Sequence, residues 1–204
     1  MTIIPKQDSD IKMNVLFLDQ DGVTNSNHLI RKWLDDKFLE LQEAFPHLEY
    51  GKIRKLSSEA FYEEFKFGKE LIFPELAARL NKVIEKCDLK IVWSSSWRNI
   101  DPYRGSIDNA RVMLERRGIK GSALVGYTPC FRRFGDAGHY TRMSEILSFI
   151  KNNTLGITFE DRIAAIDDLN LSELENDGIK FFGTEVEFGL TEEIKNDMIE
   201  FYTK

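Results

Sequence analysis

Four consecutive apolar residues, Val15-Leu16-Phe17-Leu18, run straight into Asp19-Gln20-Asp21-Gly22. An unbroken apolar run of this length suits a strand covered on both faces, as in a parallel sheet. The two carboxylates then leave the carboxyl end of that strand, the edge of an open α/β sheet where ligands and catalytic groups gather. Acids at that edge point to a metal site or to acid/base chemistry. Solvated loop acids, or an Asp capping the next helix, are the plainer alternative. A calcium loop of the EF-hand type fails on spacing, because it would need acids at Val23 and Ile30 and a helix beforehand.

The rest of the chain repeats the alternation of short apolar runs and amphipathic stretches. The first strand is predicted from Met13 to Leu18. Residues 24–72 form a helical insert, with apolar positions at helical spacing through Ile30, Trp33, Leu34, Phe38 and Leu41 and again around Phe61 and Phe65. Pro74 suits a first helical position, followed by the stripe Leu76, Leu80, Val83, Ile84 and Cys87. Strands are predicted at Leu89–Trp93, Ala123–Val125, Ile163–Ile166 and Lys180–Phe182. Between them, Ile107, Ala110 and Leu114 mark a helix closed by Gly118, Thr141 is placed to cap another, and Thr191 opens the last. The expected fold class is therefore α/β: one Rossmann-like domain over residues 1–204, its parallel sheet covered by helices on both faces, with a small helical cap insertion. Right-handed crossovers would bring the strand ends carrying Asp19, Ser94 and Asp167 to one edge.

A chain of 204 residues can bury one good core with a small accessory segment to spare. Its net charge of −6 argues against non-specific binding along a nucleic acid, which needs a broad basic surface. Nothing approaches the roughly 18 apolar residues of a membrane span. Met1 to Asn14 lacks the apolar core of a secretory signal, so a cytoplasmic location and no membrane partner are expected. Cys87 and Cys130 fall in no metal-ligand spacing and form no disulfide framework.

Three further segments carry chemistry. Ser94-Ser95-Ser96-Trp97-Arg98 ends a strand in hydroxyls and then an arginine, donors suited to an oxyanion or phosphate; a serine-rich turn is the alternative. Arg142 sits in the first turn of a helix, where most arginines are simply surface residues. Asp167 and Asp168 end a strand, and adjacent like charges there are costly unless a cation neutralises them. Carboxylates without histidine or cysteine suit a hard cation such as Mg²⁺.

In this order the segments resemble the haloacid dehalogenase (HAD) superfamily. They are most similar to the HAD domain of the Swiss Army Knife RNA repair proteins. The likeness rests on Phe17 through Val23, Ser94 through Arg98, Thr128-Pro129, Arg142 through Glu145-Ile146, Ile166-Asp167-Asp168 and Gly189-Leu190-Thr191. Two positions depart from the family's usual pattern: Thr24 stands where a leucine is common, and Met143 where a glycine is. The resemblance implies that Asp19 is a nucleophile forming an aspartyl phosphate and that Asp21 is the general acid and base. It also implies that Ser94 and Arg142 bind the phosphoryl group, and that Mg²⁺ is held by Asp19, the Asp21 carbonyl, and Asp167 or Asp168 or both.

The expected partner is a phosphorylated substrate. Trp97, Arg98, Tyr103, Arg104, Tyr127, Phe131, Arg132, Arg133 and Phe134 interleave aromatic and basic character, which suits a base beside a phosphate. Ser95, Arg98, Arg132 and Arg133 are the substrate-binding candidates, and a nucleotide or RNA terminal phosphate is the leading substrate. Core aromatics and surface ion pairs would give the same pattern. A phosphoprotein or small metabolite is the other substrate class, and an inactive RNA- or protein-binding module is the other function. A receiver domain also clusters acids around Mg²⁺, but its acidic pair comes first in the chain and its phosphorylated Asp later.

Overall fold

The computed structural model describes residues 12–65, 71–99, 103–131 and 139–204. Five strands, β1 (Asn14–Leu18), β2 (Lys90–Trp93), β3 (Leu124–Tyr127), β4 (Arg162–Asp167) and β5 (Lys180–Gly183), form one sheet in the order β3-β2-β1-β4-β5. Every pairing is parallel. The order steps outward from β1 through β2 to β3 on one side and through β4 to β5 on the other. The crevice between β1 and β4 is thus a topological switch point, where open α/β sheets bind ligands.

The apolar run of β1 is buried as an inner strand requires. Leu16 and Leu18 join one core with Ile91, Trp93, Ala164 and Ile166, beneath α3 (Pro74–Cys87), α4 (Ile107–Arg116) and α6 (Glu192–Thr203). Val15 and Phe17 face the other core, shared with Met143, Ile146 and Ile150 of α5 (His139–Asn152). The period of two along the strand therefore splits one continuous run between two layers of helix.

The helix signals read from the sequence act largely as expected. Pro74 is the first residue of α3, Gly118 follows α4, and the Thr191 hydroxyl accepts the Ile194 N–H to cap α6. Thr141 differs: α5 begins at His139, so Thr141 lies inside the first turn instead of capping it. Cys87 and Cys130 are both free thiols, the first buried and the second exposed.

Between β1 and α3 lie α1 (Asn27–Ala44) and α2 (Tyr50–Glu64), packed on each other. Trp33 meets Phe61 and Phe65 edge-on at 5.4 and 6.0 Å, and Phe65 continues to Phe73 at 5.4 Å. Both ends of this insert are anchored near the end of β1. Phe73 N–H donates to the Thr24 carbonyl, and the Asn25 side chain donates to the Leu71 carbonyl. At Asn27 the chain docks on the Val186 carbonyl. Gly189 fits there because its φ of +66° and the backbone oxygens of Val23 and Asn25, 2.9 Å from any added Cβ, leave no room for a side chain. Among the described residues no helix is long and apolar enough to cross a membrane.

Candidate active site

The ladder hydrogen bonds continue one step beyond the strands, and this step assembles the site. Asp19 N–H donates to the Ile166 carbonyl at 3.1 Å, Ser94 N–H to Leu18 at 2.8 Å, Thr128 N–H to Trp93 at 3.0 Å and Thr184 N–H to Asp167 at 3.0 Å. Parallel register thereby places Asp19, Ser94 and Asp167 side by side on one edge, as the alternation of strands and helices predicts, and adds Thr128 to them.

Arg142 reaches this edge from α5. Its Nη1 lies 2.9 Å from Asp167 Oδ2 and 3.2 Å from Asp19 Oδ1, and all three side chains are buried. Carboxylate oxygens of Asp19, Asp167 and Asp168 all lie within 4.8 Å of one another. Gly22 makes this approach possible: with φ at +65°, a Cβ there would sit 2.6 Å from the Asp168 Cβ.

Burial raises the pKa of the Asp19 carboxyl, although Arg142 pulls the other way. Burial, and then the charge of Asp19, push Asp167 up to about 8. One guanidinium is therefore insufficient counter-charge for this cluster. The three convergent carboxylates fit a hard divalent cation, which supplies the missing positive charge through oxygen ligands alone.

Asp21 is held apart from that cluster. The Trp97 indole N–H donates to Asp21 Oδ2 at 2.7 Å, and the Asn25 amide donates to Asp21 Oδ1 at 3.0 Å. Asn25 Oδ1 in turn accepts the Gly22 N–H at 2.9 Å. Neither Trp97 nor Asn25 is identifiable as an Asp21 partner from the sequence. Gln20, between the two acids, is buried, and its side-chain amide has no partner among the described residues.

Ser94 and Ser95 are fully buried at the end of β2. The Ser95 hydroxyl works with Arg142 against the burial that raises the Asp19 pKa, while the Ser94 hydroxyl lies 3.5 Å from that of Thr128. Arg98 is turned inward on protein acceptors. Its Nε donates to Thr128 O, its Nη1 to the carbonyls of Ser94 and Ser95, and its Nη2 to Pro129 O at 3.0 Å and Glu145 Oε2 at 2.5 Å. All five guanidinium donors are thus occupied. Arg98 braces the loops after β2 and β3 against α5, which corrects its expected place among the substrate contacts.

Glu145, the other half of that brace, also accepts the Phe131 N–H at 2.9 Å. A clue to it lay in the sequence, since Glu145 falls three residues after Arg142 on the face of α5 that carries Ile146. Arg132 and Arg133 lie outside the described residues.

The chain belongs to the family of the HAD domain in Swiss Army Knife RNA repair proteins, whose model matches residues 15–194. The parallel sheet and the ordered acids agree with that membership. No curated protein and no solved structure matches the chain.

Proposed function

We propose that this protein is a Mg²⁺-dependent phosphomonoesterase that works through an aspartyl phosphate on Asp19, acting on the terminal phosphate of a nucleotide or an RNA end. The observation that carries the reading is the convergence of Asp19, Arg142, Asp167 and Asp168 at the β1/β4 switch point, with Asp21 oriented separately beside them.

Asp19 Oδ attacks phosphorus and forms a P–O bond as the bond to the leaving oxygen breaks, and Asp21 gives its proton to that oxygen. Water then attacks the same phosphorus. Asp21 takes its proton, and the bond to Asp19 breaks to release inorganic phosphate. Arg142 offsets charge on the phosphoryl oxygens, and the Ser94 and Ser95 hydroxyls donate to them. Asp19, the Asp21 carbonyl, Asp167 and Asp168 would hold Mg²⁺, which offsets repulsion between the anionic nucleophile and the phosphate. Phosphoryl transfer depends mainly on positioning and electrostatics, so this set is chemically sufficient.

The nucleic-acid assignment is supported by the family's association with RNA repair and by the exposed rings of Tyr127 and Phe131 at and after the end of β3, whereas Tyr103 and Arg98 after β2 are buried. The net charge of −6 favours a terminal phosphate over a long duplex. The insert joins the core beside Asp21 and is placed to act as a cap controlling entry. Hydrolysis of an aryl phosphate with and without Mg²⁺, followed by a panel of 3′-phosphate, 5′-phosphate and 2′,3′-cyclic phosphate oligonucleotides, nucleotides and phosphopeptides, tests the reading. Cleavage that is independent of Mg²⁺ refutes the metal requirement, and preference for the phosphopeptide refutes the substrate.

A further inference from the structure

We infer that Trp97 is a positioning residue for the general acid: its indole N–H fixes the Asp21 carboxyl so that the proton is presented to the leaving oxygen. The inference rests on the reading of Asp21 as acid and base.

The contact is short and directional, 2.7 Å from Nε1 to Oδ2, as expected of a hydrogen bond to a carboxylate. It spans 76 residues of sequence, from the loop after β1 to the turn after β2. The turn that presents it, Ser96–Asn99, is not free to move, because the neighbouring Arg98 is fixed through all five of its donors. On the other oxygen the Asn25 amide can only donate, since its own Oδ1 already accepts the Gly22 N–H. The two carboxyl oxygens are therefore each held by a donor from a different segment, one from the core and one from the start of the insert.

An indole N–H is well suited to this work. It donates but does not accept, and it carries no proton that titrates in water, so it cannot compete with Asp21 for the transferred proton. Each carboxyl oxygen keeps a second lone pair, so the two contacts leave room for the proton that moves. Trp97 is half-buried and packs against the core, which fixes the plane of its ring and so the direction of its N–H.

The distinguishing measurement is the dependence on leaving group, because a misplaced acid hurts only those substrates whose leaving oxygen needs a proton. The quantity is kcat/KM for phenyl phosphate divided by kcat/KM for 2,4-dinitrophenyl phosphate, whose leaving oxygen departs as a stable anion. This ratio reports the first chemical half of the reaction, and partial loss of folded protein cancels within it. Trp97→Phe should lower the ratio about tenfold or more, and Asp21→Asn should lower it further, within the 10²–10⁴-fold range of general acid catalysis.

Site-specific replacement of Trp97 by its benzothiophene isostere, which exchanges the N–H for sulfur and keeps the shape, should match Trp97→Phe and decides the matter if the phenylalanine variant does not fold. A lowered ratio in Asp21→Asn with an unchanged ratio in the Trp97 variants overturns the inference alone. An unchanged ratio in Asp21→Asn, or a wild-type protein that hydrolyses neither ester, overturns the acid assignment and the inference with it.

Discussion

At the carboxyl edge of the sheet, Asp19, Arg142 and Asp167 are each 6% exposed or less, whereas α1, eighteen residues long, has no fully buried residue. The first region is charged and buried against hydropathy, whereas α1 follows hydropathy, turning Arg31, Lys32, Asp35, Asp36 and Glu40 outward and leaving Leu29, Ile30, Trp33 and Leu34 half-buried against the insert's small aromatic core. Burying charge costs stability unless partners compensate, so an edge this charged is maintained by its hydrogen bonds and ion pairs. The insert is held by ring contacts among Trp33, Phe61, Phe65 and Phe73 and by the anchors at its two ends. The sheet edge is held from within by buried charge pairs, whereas the insert is tied to the core from outside, through Asn27 and His28 on the 186–187 backbone, Arg31 on Glu187 and Arg117 on Glu64.

The contrast is broken most directly at Asp19. Asp19→Asn should lower phosphatase activity by more than about a thousandfold, in line with removal of other catalytic nucleophiles. The same variant removes one of the buried like charges, so thermal denaturation without Mg²⁺ should show no loss of stability. Substantial activity in Asp19→Asn refutes the nucleophile assignment, and a large fall in melting temperature shows that Asp19 is structural.

Arg98 is next in size. Arg98→Met leaves the buried Glu145 carboxylate and four backbone carbonyls without their donor, and should cost about 3–5 kcal/mol in urea denaturation, as expected when one member of a buried ion pair is removed. Arg98→Lys keeps the charge but offers three donors to five acceptors, so it should recover only part of the loss. Full recovery would show that charge, not the planar fork, holds the loops.

A pH series sharpens the comparison further. Asp167 titrates near 8 in the metal-free fold against 3.8 for the free side chain, first through burial and then through Asp19. Between those values the folded state binds more protons than the unfolded state, so stability falls as pH rises. The melting temperature of metal-free protein should therefore decline from about pH 4 to about pH 8, beyond the change seen in Asp167→Asn, and added Mg²⁺ should reduce the decline. A profile that Asp167→Asn leaves unchanged contradicts the buried-acid account.

Sequence reading reached the sheet and the acids because both are local signals. The run Val15–Leu18 fixes an inner strand, Asp19 follows β1 directly and Asp167 is the last residue of β4, so parallel register is enough to bring them together. The roles of Trp97 and Arg98 are not local. The acceptor of Trp97 lies 76 residues back, and the acceptors of Arg98 come from residues 94, 95, 128, 129 and 145, which only the folded chain brings together. Thr141 misled for the opposite reason: a good capping residue tells only where a helix can start, and α5 starts two residues earlier.

The smallest effects should come from the insert's outer surface, and their smallness is informative. Leu39 on α1 is 56% exposed, so Leu39→Ser removes little buried area and should change stability by less than about 0.5 kcal/mol. Arg31 pairs with Glu187 where both side chains are substantially exposed, and Arg31→Ala should cost no more than about 1 kcal/mol, less at high salt. If the insert is instead clamped as firmly as the sheet edge, either change will cost several times as much in urea denaturation, and α1 amides will resist hydrogen exchange as long as those of β1. Rapid exchange in α1 beside slow exchange in β1 is expected if the insert is held less firmly than the sheet edge.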